Sequence, residues 1–166
     1  MSSSKSIPQA PTAITSANPR TSVPVEPWLA SELVTRKGLD ELIEIDSAGT
    51  HGYHIGEPPD ERACRTMAGH GIDIEGLAGR QVTAADLRDF DYVLAMDRDN
   101  LAHLEALGGC PQASVRLFLD FARNTRVREV PDPYYGGPEG FERVYALLEE
   151  AAQGLLADIE PRLARA

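Results

Sequence analysis

One carboxylate in this chain stands out for the stiffness of its surroundings. Asp132 lies between Pro131 and Pro133 and is followed by Tyr134, Tyr135, Gly136 and Gly137. Each proline fixes its own φ and disfavours helix in the residue ahead of it, so Asp132 is held extended. The glycines let the chain turn sharply after the two phenols. A rigid carboxylate beside aromatic rings suits a general acid at the rim of a cleft that grips something flat and aromatic. The competing reading is a Pro/Gly connector whose tyrosines are ordinary half-buried rings. The loop alone does not choose between them.

The other reactive residue types are scattered. Cys64 falls in a helical pattern beside Ala63 and Met67 and reads as a small core residue. Cys110, in Gly108-Gly109-Cys110-Pro111, has no base or helix start beside it to activate a thiol. His51 and His54 lie three apart near Glu57, but no third ligand follows at metal spacing, so no metal is expected. His103 reads as a surface helix residue, and Arg80 as a tie between loops. No motif calls for a cofactor.

These residues must be positioned by a chain of 166 residues, the size of one domain with a sizeable core. Apolar residues make up 42% and charged residues 25%, the balance of a soluble globule. Sixteen Lys and Arg against 26 Asp and Glu give a net charge of −10, which argues against nucleic-acid partners and anionic membrane surfaces. No apolar run approaches membrane-spanning length, and the N-terminus lacks the order of a signal peptide. Two distant cysteines fit a reduced, cytoplasmic protein.

Residues 1–25 are rich in Ser, Thr, Pro and Ala, with Pro8, Pro11, Pro19 and Pro24 punctuating them. Only Ala13 and Ile14 could begin a strand there, so composition predicts loop or disorder. A helix is predicted from Glu26, with Trp28, Leu29, Leu33 and Val34 at helical spacing and Gly38 as its stop. Residues 42–45 read as a strand ended by Asp46. Pro58-Pro59-Asp60-Glu61 starts a second helix that stops at Gly71. A short polar helical turn over 86–89 follows. Residues 92–96 and 115–119 read as strands, with a helix over 97–107 between them. Phe141, Val144, Leu147, Leu148, Ala151, Leu155 and Ile159 line one face of a long closing helix, with Pro161 ending or kinking it. Strands separated by helices predict an α/β fold with a parallel sheet covered on both faces.

Six short motifs occur in a telling order. They are Asp46-Ser47-Ala48-Gly49-Thr50, Gly56-Glu57-Pro58-Pro59-Asp60, His70-Gly71-Ile72, Gly79-Arg80-Gln81-Val82-Thr83, residues 92–97, and Asp132-Pro133-Tyr134-Tyr135-Gly136. Over about residues 26–160 this succession closely resembles the low-molecular-weight protein-tyrosine phosphatases. The resemblance implies a four-stranded parallel sheet in the order 2-1-3-4, sandwiched between helices, provided one more strand lies near the N-terminus. It also implies a domain over 26–166 preceded by a degenerate segment over 1–25. In that family phosphotyrosine is hydrolysed through a cysteinyl phosphate, held by a loop of Cys, five residues, Arg and Ser or Thr. By the same resemblance Asp132 is the general acid, and Tyr53, Tyr134 and Tyr135 wall the aromatic cleft. Asn18, Ser22, Ser47 and His70 support the phosphate loop. A phosphotyrosine protein or small phosphomonoester is the implied partner of an active chain.

The sequence departs from that pattern where the chemistry should begin. No cysteine precedes Cys64. Aligning Asn18 with the family's loop asparagine puts Thr15 and Thr21 in the nucleophile and arginine slots. Counting back from Gly38 puts Ser16 and Ser22 there instead. Arg20 sits too early for the clamp, and Pro19 removes one N–H donor. Two classes of function remain open: an enzyme whose residues 1–25 do not represent the working protein, and a pseudophosphatase acting as a binding or regulatory module. An arsenate-reducing relative would need thiols that are not here.

Overall fold

Residues 92–97 are all buried, as a strand covered on both faces must be, and they organise the core. The computed structural model describes residues 12–17, 26–50, 59–75, 80–108, 114–133 and 137–164. The elements run β1 (Thr12–Ala17), α1 (Glu26–Arg36), β2 (Glu44–Gly49), α2 (Glu61–Gly69), α3 (Asp86–Asp89), β3 (Tyr92–Ala95), α4 (Arg98–Ala106), β4 (Ser114–Leu117) and α5 (Gly137–Leu163). The strands form one parallel sheet in the order β2-β1-β3-β4.

Alternate side chains of β3 feed two separate cores. Tyr92 and Leu94 face the layer containing α1, α2 and α5, with Leu29, Met67, Phe118, Leu148 and Leu156 among the buried residues there. Val93 and Ala95 face the other side, with Leu87 of α3, Leu104 of α4, Val82 and Leu117. A strand's two-residue side-chain period thus serves both layers. Closest packing against the first layer falls at Gly154 of α5, where a Cβ would collide with the Phe121 carbonyl oxygen.

Several boundaries differ from the sequence-based expectation. Residues 12–17, expected to be loop, form the central strand, with Ala13 opposite both Ile45 and Tyr92. Main-chain hydrogen bonding on both sides overrides the weak strand propensity of Thr-Ala-Ile-Thr-Ser-Ala. Strand β2 begins at Glu44 and runs on through Gly49, so Asp46 lies inside it rather than ending it, and Leu42 is left exposed. An edge strand tolerates such polar positions, and β2 gains a bridge from Gly49 to Gln81 at its carboxyl end. Phe118–Phe121 is a 3-10 turn rather than the end of β4. Pro161 lies inside α5 without ending it, because in the last turn its missing N–H costs a single bond. Among the described residues, no helix is long and apolar enough to cross a membrane.

Candidate functional site

The sheet order determines where a ligand can sit. From β1 the chain leaves toward β2 through α1 on one face, and from β3 it leaves toward β4 through α4 on the other. Neighbouring strands whose connections diverge leave a crevice at their carboxyl ends, the usual ligand position in open α/β sheets. That crevice lies between the ends of β1 and β3. Residues 18–25 connect β1 to α1 in sequence and lie outside the described residues.

The Asp132 loop is tied to this edge. The Val130 N–H donates to the Met96 carbonyl, one residue past β3, at 2.8 Å. Beside it the Arg98 main-chain N–H donates to Glu129 Oε2 at 3.3 Å, and Arg98 Nε lies 3.5 Å from Glu129 Oε1. Pro133 is buried against the start of α5, where a Cβ at Gly140 would stand 3.4 Å from the Pro133 carbonyl oxygen. Asp132 is exposed between these two fixed points. The structure therefore brings the carboxylate singled out by its prolines to the carboxyl end of β3, on a loop held at both ends.

A buried polar knot lies next to it. Asp97 caps α4, its Oδ1 accepting the Asn100 N–H at 2.7 Å. Burial raises the Asp97 carboxyl above the usual range, with the Asp99 and Glu129 charges adding to it and the Asn100 N–H opposing. Asn100 Nδ2 donates to Thr50 Oγ1 at 3.2 Å, and both residues are fully buried. This pair joins the carboxyl ends of β2 and β3 across the end of β1. Sequence reasoning passed over it; the available signal was the Asp-x-x-Asn spacing of a helix cap after an apolar strand.

Ser47 lies on β2, its Cα opposite Thr15 of β1, and its N–H donates to Asp46 Oδ1 at 2.7 Å. Asp46 also binds Arg80, whose Nε reaches Oδ2 at 2.9 Å. The other end of the Arg80 guanidinium makes a fork to Asp86, at 3.0 and 3.1 Å. Burial raises the Asp86 carboxyl, but the Arg80 fork and the Thr83 donors outweigh it and hold the group below its usual range. Arg80 is thus a tie between β2 and the segment leading to α3, as its sequence position suggested.

His70 caps the carboxyl end of α2 and stands beside α5. Its Nε2 lies 2.9 Å from Glu142 Oε2, and its ring stacks on Tyr145 with centroids 3.6 Å apart and planes at 10°. These contacts join α2 to α5. Cys64 is half-buried on α2, its Sγ 4.0 Å from the Pro59 carbonyl oxygen. Burial pushes its thiol pKa up, and the Glu75 charge pushes it further, the reverse of what a nucleophile needs. Asn18, Ser22, Tyr53, Tyr134 and Tyr135 lie outside the described residues, as do His51, His54 and Cys110. Among the described residues, no three His, Cys, Asp or Glu side chains could share a metal ion.

A family model described as low molecular weight phosphotyrosine protein phosphatase matches residues 21–165. Low molecular weight protein-tyrosine-phosphatase YfkJ of Bacillus subtilis is 38% identical over 138 residues, which cover 82% of this chain and 87% of that protein. The low molecular weight phosphotyrosine protein phosphatase of Homo sapiens is 37% identical over 126 residues, covering 74% and 78%. Among solved structures, that of YfkJ superimposes with a TM-score of 0.82 over 93% of this chain and 96% of that one, at 34% identity. A protein tyrosine phosphatase from Entamoeba histolytica, with Hepes in its active site, gives 0.83 over 92% and 97%, at 30% identity.

Proposed function

The chain belongs to the low molecular weight phosphotyrosine protein phosphatase family, and from that premise we propose that it is a pseudophosphatase. On this reading it keeps the family's acid loop and strand-end crevice but does not transfer phosphate through a cysteine. The observation that carries the reading is the composition of the connection leaving the central strand. Residues 18–25 are Asn-Pro-Arg-Thr-Ser-Val-Pro-Val, and Thr12–Ala17 before them hold no cysteine either.

The chemistry fails at two points. The hydroxyl of Thr15 or Ser16 is a far weaker nucleophile at neutral pH than a thiolate stabilised by loop N–H groups and a helix start. Without an arginine in the slot of Thr21 or Ser22, the charge on the transferring phosphoryl group loses its bidentate clamp. Asp132 can still present a proton, but proton donation assists only a bond that is already being broken. The phosphotyrosine or phosphomonoester substrate of the family then becomes at most a weak ligand here. Residues 1–25 are on this reading the degenerate slot of the first strand and phosphate loop, and 26–166 the low-molecular-weight phosphatase-like domain. On the same reading Tyr53, Tyr134 and Tyr135 wall the aromatic cleft, and Ser47 helps to hold the loop slot in shape.

The test is hydrolysis of para-nitrophenyl phosphate by the full chain and by Asp132→Asn. The two rates are expected to be the same. A clear drop in the variant would mean that a working nucleophile exists and would overturn the proposal. Vanadate, a five-coordinate phosphate mimic, is expected to bind weakly, and micromolar protection by it would count the same way.

A further inference from the structure

The segment from Ser114 to Arg128 runs against the charge of the molecule. It holds Arg116, Arg123, Arg126 and Arg128 and a single acid, Asp120, in a chain whose net charge is −10. Its backbone is fixed. Phe118 and Leu119 are fully buried, and Phe121 and Ala122 nearly so. The Asn124 N–H donates to Glu150 of α5, Val127 packs against the core, and Val130 is bonded to Met96. With Val127 turned inward, its neighbours Arg126 and Arg128 stand exposed, as does Arg123.

The four guanidinium groups are not equally engaged. Arg116 lies over the Phe121 ring, 4.8 Å from its centroid, and Arg128 bonds Asp120 at 3.2 Å. Among the described residues, neither Arg123 nor Arg126 has a hydrogen bond, ion pair or ring contact. Two uncommitted arginines on a rigid strap are forks held ready for carboxylates. The strap runs directly into the Asp132 loop, so it flanks the strand-end crevice.

We propose that the strap from Arg116 to Arg128 is a docking surface for an acidic peptide segment of a partner protein, with Arg123 and Arg126 as its anchors. A peptide fits better than nucleic acid. Two free cations match the two or three carboxylates of a short acidic segment, whereas a polyphosphate chain carries a charge at every nucleotide and would extend beyond the strap onto the acidic remainder of the molecule. The proposal concerns the surface beside the crevice and does not depend on whether the crevice turns over phosphate.

The experiment measures binding of a fluorescein-labelled Gly-Ser peptide carrying four glutamates to the full chain, by anisotropy at low ionic strength. The expected result is saturable binding that weakens about tenfold in Arg123→Glu/Arg126→Glu, and more mildly in Arg123→Gln/Arg126→Gln. Raising salt to about 0.3 M should weaken it likewise, since exposed charges are screened within a few ångströms there. Both positions are exposed and unbonded, so the variants should melt with the parent, which circular dichroism checks. Equal binding by parent and charge-reversed chain overturns the proposal, and so does equal binding of a tetra-lysine peptide. Tighter binding of a single-stranded oligonucleotide than of the acidic peptide also overturns it, assigning the strap to nucleic acid instead.

Discussion

The Tyr92 hydroxyl donates to Asp158 Oδ2 at 2.6 Å, pinning the first residue of β3 to α5 from inside the core. Arg162 closes the same cluster, bonding Asp158 at 3.0 Å and covering the Tyr92 ring at 5.1 Å. Tyr92→Phe removes one charge-assisted bond and leaves Asp158 its arginine, so a loss of about 1 kcal/mol is expected on urea unfolding. Burial, then the Asp158 bond, raises the Tyr92 phenol pKa far above its usual value of 10.0. A raised folded pKa means that this stabilisation is complete below the unfolded pKa and is lost as pH rises beyond it. As pH rises above about 10, where the unfolded phenol ionises and the folded one does not, the parent should therefore lose stability that the Phe variant keeps. Parallel pH curves for the two would contradict the assignment.

Arg80 is expected to matter more to stability than any exposed ion pair. Arg80→Ala leaves the nearly buried Asp86 carboxylate with only its Thr83 donors, at a cost of about 2–3 kcal/mol. Arg36→Ala, which breaks the exposed pair with Glu32, should cost under about 0.5 kcal/mol. Because the Asp86 pKa is lowered, its contribution is present above the unfolded value of 3.8 and is lost as pH falls through the folded one. Acid unfolding of the parent should thus be steeper than that of Arg80→Ala. Equal costs for the two alanine variants would refute the ranking.

Strand β1 makes a direct prediction for hydrogen exchange. Its register pairs Ala13–Ser16 on both sides, with β2 and with β3. Amides of residues 13–16 should exchange as slowly as those of Tyr92–Ala95, because only a large opening frees a central strand. Exchange at the rate of an unstructured peptide would show that the central strand does not persist in solution.

Cys64 should be a poor nucleophile. In a Cys110→Ser background at about pH 7.5, iodoacetamide is expected to alkylate the folded protein more slowly than the urea-unfolded chain. Faster labelling of the folded form would reopen Cys64 as a displaced catalytic thiol.

Helices were the most legible part of the fold, and the reason is local. Asp60 and Asp97 each cap a helix through a bond to an N–H two or three residues on, so the start signals lie within one turn. The apolar stripe of α5 and the buried run of β3 likewise advertise themselves over short windows. Strands β1 and β2 were harder, since their neighbours are far away in sequence. Thr12–Ala17 is a strand because Glu44–Gly49 and Tyr92–Ala95 offer it backbone groups on both sides, which no property of its own six residues reveals.

The same division runs through the candidate site. By itself the sequence determined that Asp132 sits on a stiff extended loop, because two prolines act on their own backbone and need no partner. It also determined that no cysteine precedes Cys64, which is a matter of residue identity alone. Only the tertiary structure decided where these features meet. It joined Val130 to Met96, 34 positions earlier, and Asn100 to Thr50, 50 positions earlier, around the end of the central strand. Such contacts form when packing of the whole sheet makes up for the entropy of closing long loops, and that balance is set by the assembled core rather than by any single stretch of chain.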